Sequence, residues 1–239
     1  MKANGSLSFG RLGVPVPGRT EGVILTSVLA LFLFYYGARA DVIGTLSVGR
    51  GWTPTANGAL PVRLHFLAAA LLLGILPAVA CRRLTGKRWG DLGLGTGRVR
   101  PIARWLAVGV PLAVVGGRIA AGSASMRGVY PLDAGLTRAP EDFIPYALFQ
   151  FLYYASWEVL FRGVLLFGLK DRVGTSGANV LQTALSTIAH FGRPGAETFA
   201  AIPGGLVFGW VGLRTGSIWT IVVVHWVLGT ATDWFILGW

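Results

Sequence analysis

Three histidines and ten carboxylates are a thin stock of acid–base groups for 239 residues, and their spacing gathers them toward the C-terminal part of the chain. Gln150, Tyr154, Glu158 and Arg162 recur every four residues, a step of about 40° on a helix, so they form a slowly winding polar stripe. Glu158 and Arg162 stand at i,i+4, where pairing lowers the cost of burying either charge. Asn179, Thr183, Ser186 and His190 share one face of the next segment, with Gln182 beside them. Small polar residues of this kind glue membrane helices, whereas His190 is one of only three histidines in the chain. Gly192, Arg193, Pro194 and Glu197 then form a polar break, the pattern of a cavity mouth or re-entrant turn. His225 and Asp233 lie eight positions apart in the last apolar segment, about 80° around a helix axis. A carboxylate drawing a proton from water, with imidazoles stabilising an oxyanion, is one chemistry this set permits. A zinc site of Glu158, His190 and His225 with an open fourth position is another, and proton or ion translocation is a third. Residue types alone do not choose among them.

The elements that must position these groups are membrane helices. Hydrophobic residues make up 53% of the chain, charged residues 13%, and mean hydropathy is +0.61; soluble domains carry roughly 25% charge. A net charge of +11 would suit a nucleic-acid binder, but not at this hydropathy. One cysteine excludes a disulfide scaffold, and 13 Phe with nine Trp exclude disorder. Segments 23–38, 64–81, 102–121, 143–169, 178–191, 199–213 and 218–237 are apolar enough to serve as spans. The expected fold is therefore all-α, a polytopic integral membrane bundle of about seven transmembrane or re-entrant helices. It divides into a tail at 1–20, N-terminal helices at 21–142 and a helix core at 143–239. The basic segment 82–104 holds seven Lys or Arg against Asp91, which places it in the cytoplasm. Counting spans outward gives a cytoplasmic N-terminus, with Arg193 alone dissenting mildly. The leader, the first apolar run and Ala38-Arg39-Ala40 resemble a secretory signal; the later spans favour an uncleaved signal anchor.

Other features take structural readings. Gly93-Leu94-Gly95-Thr96-Gly97 lacks the strand and the Lys-Ser/Thr of a phosphate loop and reads as a turn. The basic loop reads as a topology signal touching anionic lipid rather than nucleic acid. Cys81 reads as packing, His65 as interfacial, and Gly205, Gly209 and Gly212 as a close-packing face.

Trp157-Glu158-Val159-Leu160-Phe161-Arg162-Gly163, then Ala189-His190-Phe191, then Val224-His225-Trp226 resembles the CPBP family. These are intramembrane proteases related to the CAAX prenyl endopeptidase and to bacteriocin-processing or immunity proteins. The family pattern is EExxxR, FxxxH and HxxxN or HxxxD on successive helices, and Asp91–Leu94 also looks like the family's upstream region. Glu158, Arg162, His190 and His225 match. Trp157 stands where the family has its first Glu, Ser186 replaces the aromatic residue before the first His, and Gly229 replaces the Asn or Asp after the second. The resemblance implies hydrolysis of a membrane-tethered protein or peptide near a terminus, in a bacterial plasma membrane, with zinc possible but not required. Two placements of the base follow. Either Glu158 activates water, oriented by Arg162, or Asp233 or Glu197 supplies the carboxylate and Glu158 is structural. The alternatives are an inactive scaffold or immunity protein and, third, a transporter; the oligomeric state is not legible.

Overall fold

The computed structural model describes residues 8–9, 14–15, 18–39, 42–43 and 58–238. Most of the expected tail at 1–20 lies outside the described residues, as does Ala40 of the signal-like motif. Within the tail, Ser8–Phe9 pairs antiparallel with Val14–Pro15.

Seven longer helices follow among the described residues: α1 Arg19–Gly37, α2 Ala59–Thr85, α3 Val99–Ala121, α4 Pro140–Val173, α5 Thr175–Ile188, α6 Gly195–Thr215 and α7 Trp219–Ile236. Each expected apolar segment has its helix. Six are long and apolar enough to cross a membrane. The exception is α5, whose 14 residues rise about 21 Å against a hydrocarbon core of about 30 Å. The chain leaves α5 through Gly192, at φ 86°, and re-enters a helix after Pro194. The polar break seen in the sequence therefore ends one short helix and begins the next.

Apolar side chains cover both the inside and the outside of the bundle. Leu25 and Phe32 of α1, Val115 of α3 and Phe199 and Ile202 of α6 are exposed, as lipid-facing positions are. The central helix is α4: 72% of its most apolar stretch is buried, against 11–44% in the other five long helices. Leu160, Phe161, Val164, Leu165 and Leu166 are all buried around it, because a helix that is apolar on every side belongs inside. Immediately after Glu158 the helix widens into a π-helical run, Val159–Phe167, extended by an N–H of Gly168 bonding to the carbonyl of Gly163 at 3.0 Å. A second π-helical run, Ala70–Ile75, packs against α4, with Gly74 set close over Ser156. Such widenings concentrate at functional sites.

Glycines bring the remaining helices together. On α3, Gly117 lies against the backbone of Thr232, where a Cβ would be 2.8 Å from its nitrogen, so α3 and α7 pack closely. The expected glycine face of α6 meets α5: Gly205 lies against Thr183, and Gly209 against Asn179 and Gln182. At one end of the bundle the Gly93–Gly97 turn latches the α6–α7 connection. Gly93 and Gly97 both adopt positive φ, which glycine alone reaches without strain. The carbonyls of Gly93, Leu94 and Gly95 accept from the Ile218 amide (2.9 Å), the Trp219 indole (3.2 Å) and the Ser217 hydroxyl (2.8 Å). Lys87 pairs with Asp171 at this same end. Nearby, the Arg88 backbone N–H, followed by its guanidinium, holds the Asp91 carboxyl below its ordinary range.

His65, near the start of its span, is buried within the bundle. Its Nδ1 donates to the carbonyl of Ala38 at 2.7 Å, and its ring packs on Phe34 and Tyr153. The end of α1 leaves carbonyls without helical partners, and His65 satisfies one of them.

Candidate active site

Glu158, the last residue of α4 before its π-helical run, has 0% exposure, and Arg162 has 2%. The Arg162 guanidinium lies 3.1 Å from both carboxylate oxygens and donates a hydrogen bond to Oε1. The same Oε1 accepts from Nδ1 of His225 at 2.7 Å. The i,i+4 pair of the sequence thus exists, and its carboxylate reaches across to α7. A buried pair is sustained only when its remaining valences are used, and His225 uses one of them. Oε2 has no hydrogen-bond partner among the described residues.

His190 stands just beyond the end of α5. Its Nδ1 meets the carbonyl of Ser186 at 2.7 Å. A carbonyl or an ionised carboxylate only accepts, so both histidines carry their proton on Nδ1 when neutral. Nε2 is then the free nitrogen of each. That of His190 lies 3.9 Å from Oε1 of Glu197, too far for a direct hydrogen bond and a span that one water can bridge. Both oxygens of Glu197 accept from the Tyr130 hydroxyl at 3.0 Å. The dissenting Arg193 lies over the Tyr130 ring, 5.9 Å from its centre, so its charge is covered by this rim.

Two cavities meet at these groups. The larger, about 700 Å³, lies between α3, α6 and α7 and is walled by apolar residues such as Trp105, Leu112, Val207 and Leu228. The smaller, about 50 Å³, is lined by Tyr35, Gln150, Tyr153 and Arg193. Six residues line both: Tyr130, Tyr154, Trp157, His190, Glu197 and His225. Glu158 lines neither, and Arg162 lines only the larger. Trp157, at the position of the family's first Glu, is 3% exposed and sets its ring edge-on to His190 with centroids 5.2 Å apart. It forms part of the wall and leaves the cavity open.

Of the six residues singled out in the sequence, five are brought together: Glu158, Arg162 and His225 as one hydrogen-bonded set, His190 and Glu197 as a facing pair. Asp233 stands apart from both sets. It lies two turns and about 12 Å beyond His225 along α7. Its Oδ2 accepts from the Tyr146 hydroxyl (2.9 Å) and the Gln150 amide (2.7 Å). The zinc set does not converge either. Glu158 spends Oε1 on the ring nitrogen of His225 itself, and among the described residues no three His, Cys, Asp or Glu side chains are grouped to hold a metal. Tyr130 and Tyr35 were not visible as site residues. Tyr35, on the first helix, donates its hydroxyl to the carbonyl of Ala189.

Comparison with curated proteins and with solved structures returns no match. A family model does match. Residues 139–231 fit the description type II CAAX prenyl endopeptidase Rce1-like, a stretch that contains Trp157, Glu158, Arg162, His190, Glu197 and His225 and stops short of Asp233. From the start of α4 into α7, over residues 139–231, the chain is similar to the Rce1-like type of the CPBP family.

Proposed function

We propose that this protein is an intramembrane endopeptidase that hydrolyses a peptide bond near a terminus of a membrane-tethered protein or peptide. One observation carries the reading: His190, Glu197 and His225 form part of the wall shared by an apolar cavity of about 700 Å³ and a small cavity lined by polar groups. A scissile carbonyl entering from the lipid-facing side meets water from the other.

On this reading Glu197 is the base. A water between Glu197 and Nε2 of His190 gives its proton to Glu197, and the oxygen attacks the carbonyl carbon. His225, protonated on both nitrogens, is held by the Glu158 carboxylate through Nδ1 and donates from Nε2 to the tetrahedral oxyanion. When the C–N bond breaks, Glu197 passes that same proton to the leaving nitrogen, so water is added across the bond and Glu197 returns to its ionised form. Glu158 and Arg162 position His225 and do not touch the reacting atoms. The basic end of the bundle, with Lys87, Arg98 and Arg214, faces the cytoplasm, so the N-terminus is cytoplasmic.

The test is a comparison of membrane-protein termini in a deletion strain complemented with wild type or with His190→Ala. The expected result is a set of new termini that only wild type restores. Identical termini in both strains, with both proteins present in the membrane, would leave the chain as a binding scaffold.

A further inference from the structure

We propose that Tyr154 is a catalytic residue, its phenol hydroxyl donating a second hydrogen bond to the oxyanion beside His225. The inference rests on the peptidase reading above and assigns a group which that reading did not use.

Four observations converge on the hydroxyl. Tyr154 lies on α4 one turn before Glu158 and lines both cavities. Its ring packs on the imidazole of His225, with centroids 4.5 Å apart at 46°. The phenol oxygen occupies the space over Gly229, one turn beyond His225, where any Cβ would collide with it. The neighbouring tyrosines spend their hydroxyls elsewhere: Tyr35 on Ala189, Tyr130 on Glu197 and Tyr146 on Asp233. The Tyr154 hydroxyl has no hydrogen-bond partner among the described residues.

These facts explain one another. An α7 side chain at position 229 would project toward the cavity beside His225 and could stabilise charge there. Glycine leaves that place bare, and the phenol from the neighbouring helix fills it. The hydroxyl is a neutral donor at working pH, held rigidly by a ring with few rotatable bonds. Against the apolar wall of the larger cavity, a preorganised donor aimed at developing charge contributes more than it would in solution. Its proton stays on oxygen throughout, so the hydrolysis remains balanced as written: water adds, the C–N bond breaks, and no further reactant is needed.

The decisive experiment uses a peptide spanning a cleavage site that wild type cuts and His190→Ala does not. Rates are measured with the full-length protein in phospholipid nanodiscs. Tyr154→Phe keeps the ring against His225 and Gly229 and removes only the donor. The expected result is a fall in kcat on the order of 10²-fold, with KM within about threefold and an unchanged melting temperature, since a donor used only in the transition state leaves ground-state binding alone. The pH profile should keep its shape, because the phenol does not titrate in the working range. An unchanged kcat, or a loss confined to KM, would overturn the assignment. Should Tyr154→Phe melt early, the pair Tyr154→Ala and Tyr154→Ala/Gly229→Asn decides. Recovery of tenfold or more in the double variant supports a donor at this place, and no recovery overturns it. Identical termini from wild type and His190→Ala would remove the peptidase reading and this role with it. Full activity of Tyr154→Phe on a peptide spared by His190→Ala would remove the role alone.

Discussion

Glu158 and Glu197 each stand against a different histidine, His225 and His190, in opposite surroundings. Glu158 sits in the middle of the most buried helix, fully enclosed, with Arg162 and His225 both donating to one of its oxygens. Glu197 sits in the first turn of α6, beyond a break in the chain, and reaches both cavities with the Tyr130 hydroxyl as its hydrogen-bond donor. A carboxylate that must move a proton to and from water needs a path to water, and a carboxylate that must fix an imidazole needs the reverse. The two requirements conflict within one side chain. On the proposed reading they fall to two residues on different helices, with Trp157 in the wall of the cavity rather than across it. Altering each glutamate in turn should therefore give different kinds of defect.

The largest effect is expected from Glu158→Ala. Arg162 would be left buried with no opposite charge and His225 with no Nδ1 acceptor, at a cost of about 3–5 kcal/mol. Cys81, the one cysteine of the chain, is 1% exposed, so its labelling by a thiol-reactive dye during heating reports unfolding directly. Glu158→Ala should label at a markedly lower temperature and lose activity with the fold. Replacing both partners, Glu158→Gln with Arg162→Met, should recover more than half of the lost stability, since the cost lies in the orphaned charge. A Glu158→Ala protein as stable as wild type would mean that the pair contributes nothing to the fold.

Next comes Glu197→Gln. Loss of a general base slows catalysis by roughly 10²–10⁴-fold. The amide keeps an oxygen to accept from Tyr130, so Cys81 labelling should begin at the wild-type temperature. Stability and activity are thereby separated, as they are not for Glu158. If Glu197→Gln kept full activity while a folded Glu158→Gln lost it, the two assignments would exchange, and the enclosed glutamate would be the base after all.

How far the sequence foretold this division depends on how local each contact is. Glu158 and Arg162 are one helical turn apart, so spacing alone paired them. The seven helices followed from hydropathy, because each is a run of apolar residues between polar or glycine-rich connections. His190 and Glu197 lie seven positions apart across Gly192 and Pro194, where no helical period applies; the polar break marked the place without fixing which side chains meet. The π-helical run after Glu158 left no trace, since a segment apolar on every side has no face whose rotation can be read. Tyr130 joins the site from a connection far along the chain and carried no local signal. His65 bonds to the carbonyl of Ala38 at the end of a different helix, a contact that its place in its own span does not reveal. Tyr154 was visible in the polar stripe, but its closeness to Gly229 is a contact between helices that period alone does not give.

The smallest effect is expected at Asp233, and it tests whether a third carboxylate belongs on either side of the comparison. Asp233 is 0% exposed and joins α7 to α4 through Tyr146 and Gln150. Thr230 donates to the same Gln150 at 2.8 Å and extends the network. These are the contacts of a helix clamp. Asp233→Asn retains an oxygen for both donors and removes the charge, so kcat should stay within about threefold and stability within roughly 1 kcal/mol, the scale of one hydrogen bond. Asp233→Leu would strand the Tyr146 hydroxyl and the Gln150 amide, each worth about 1–3 kcal/mol when buried unpaired, and should melt earlier while whatever remains folded still cleaves. A tenfold or greater loss of kcat in a stable Asp233→Asn protein would instead give the carboxyl group a part in the chemistry, and Glu197 would then share the base's role with a second residue lining the same cavity.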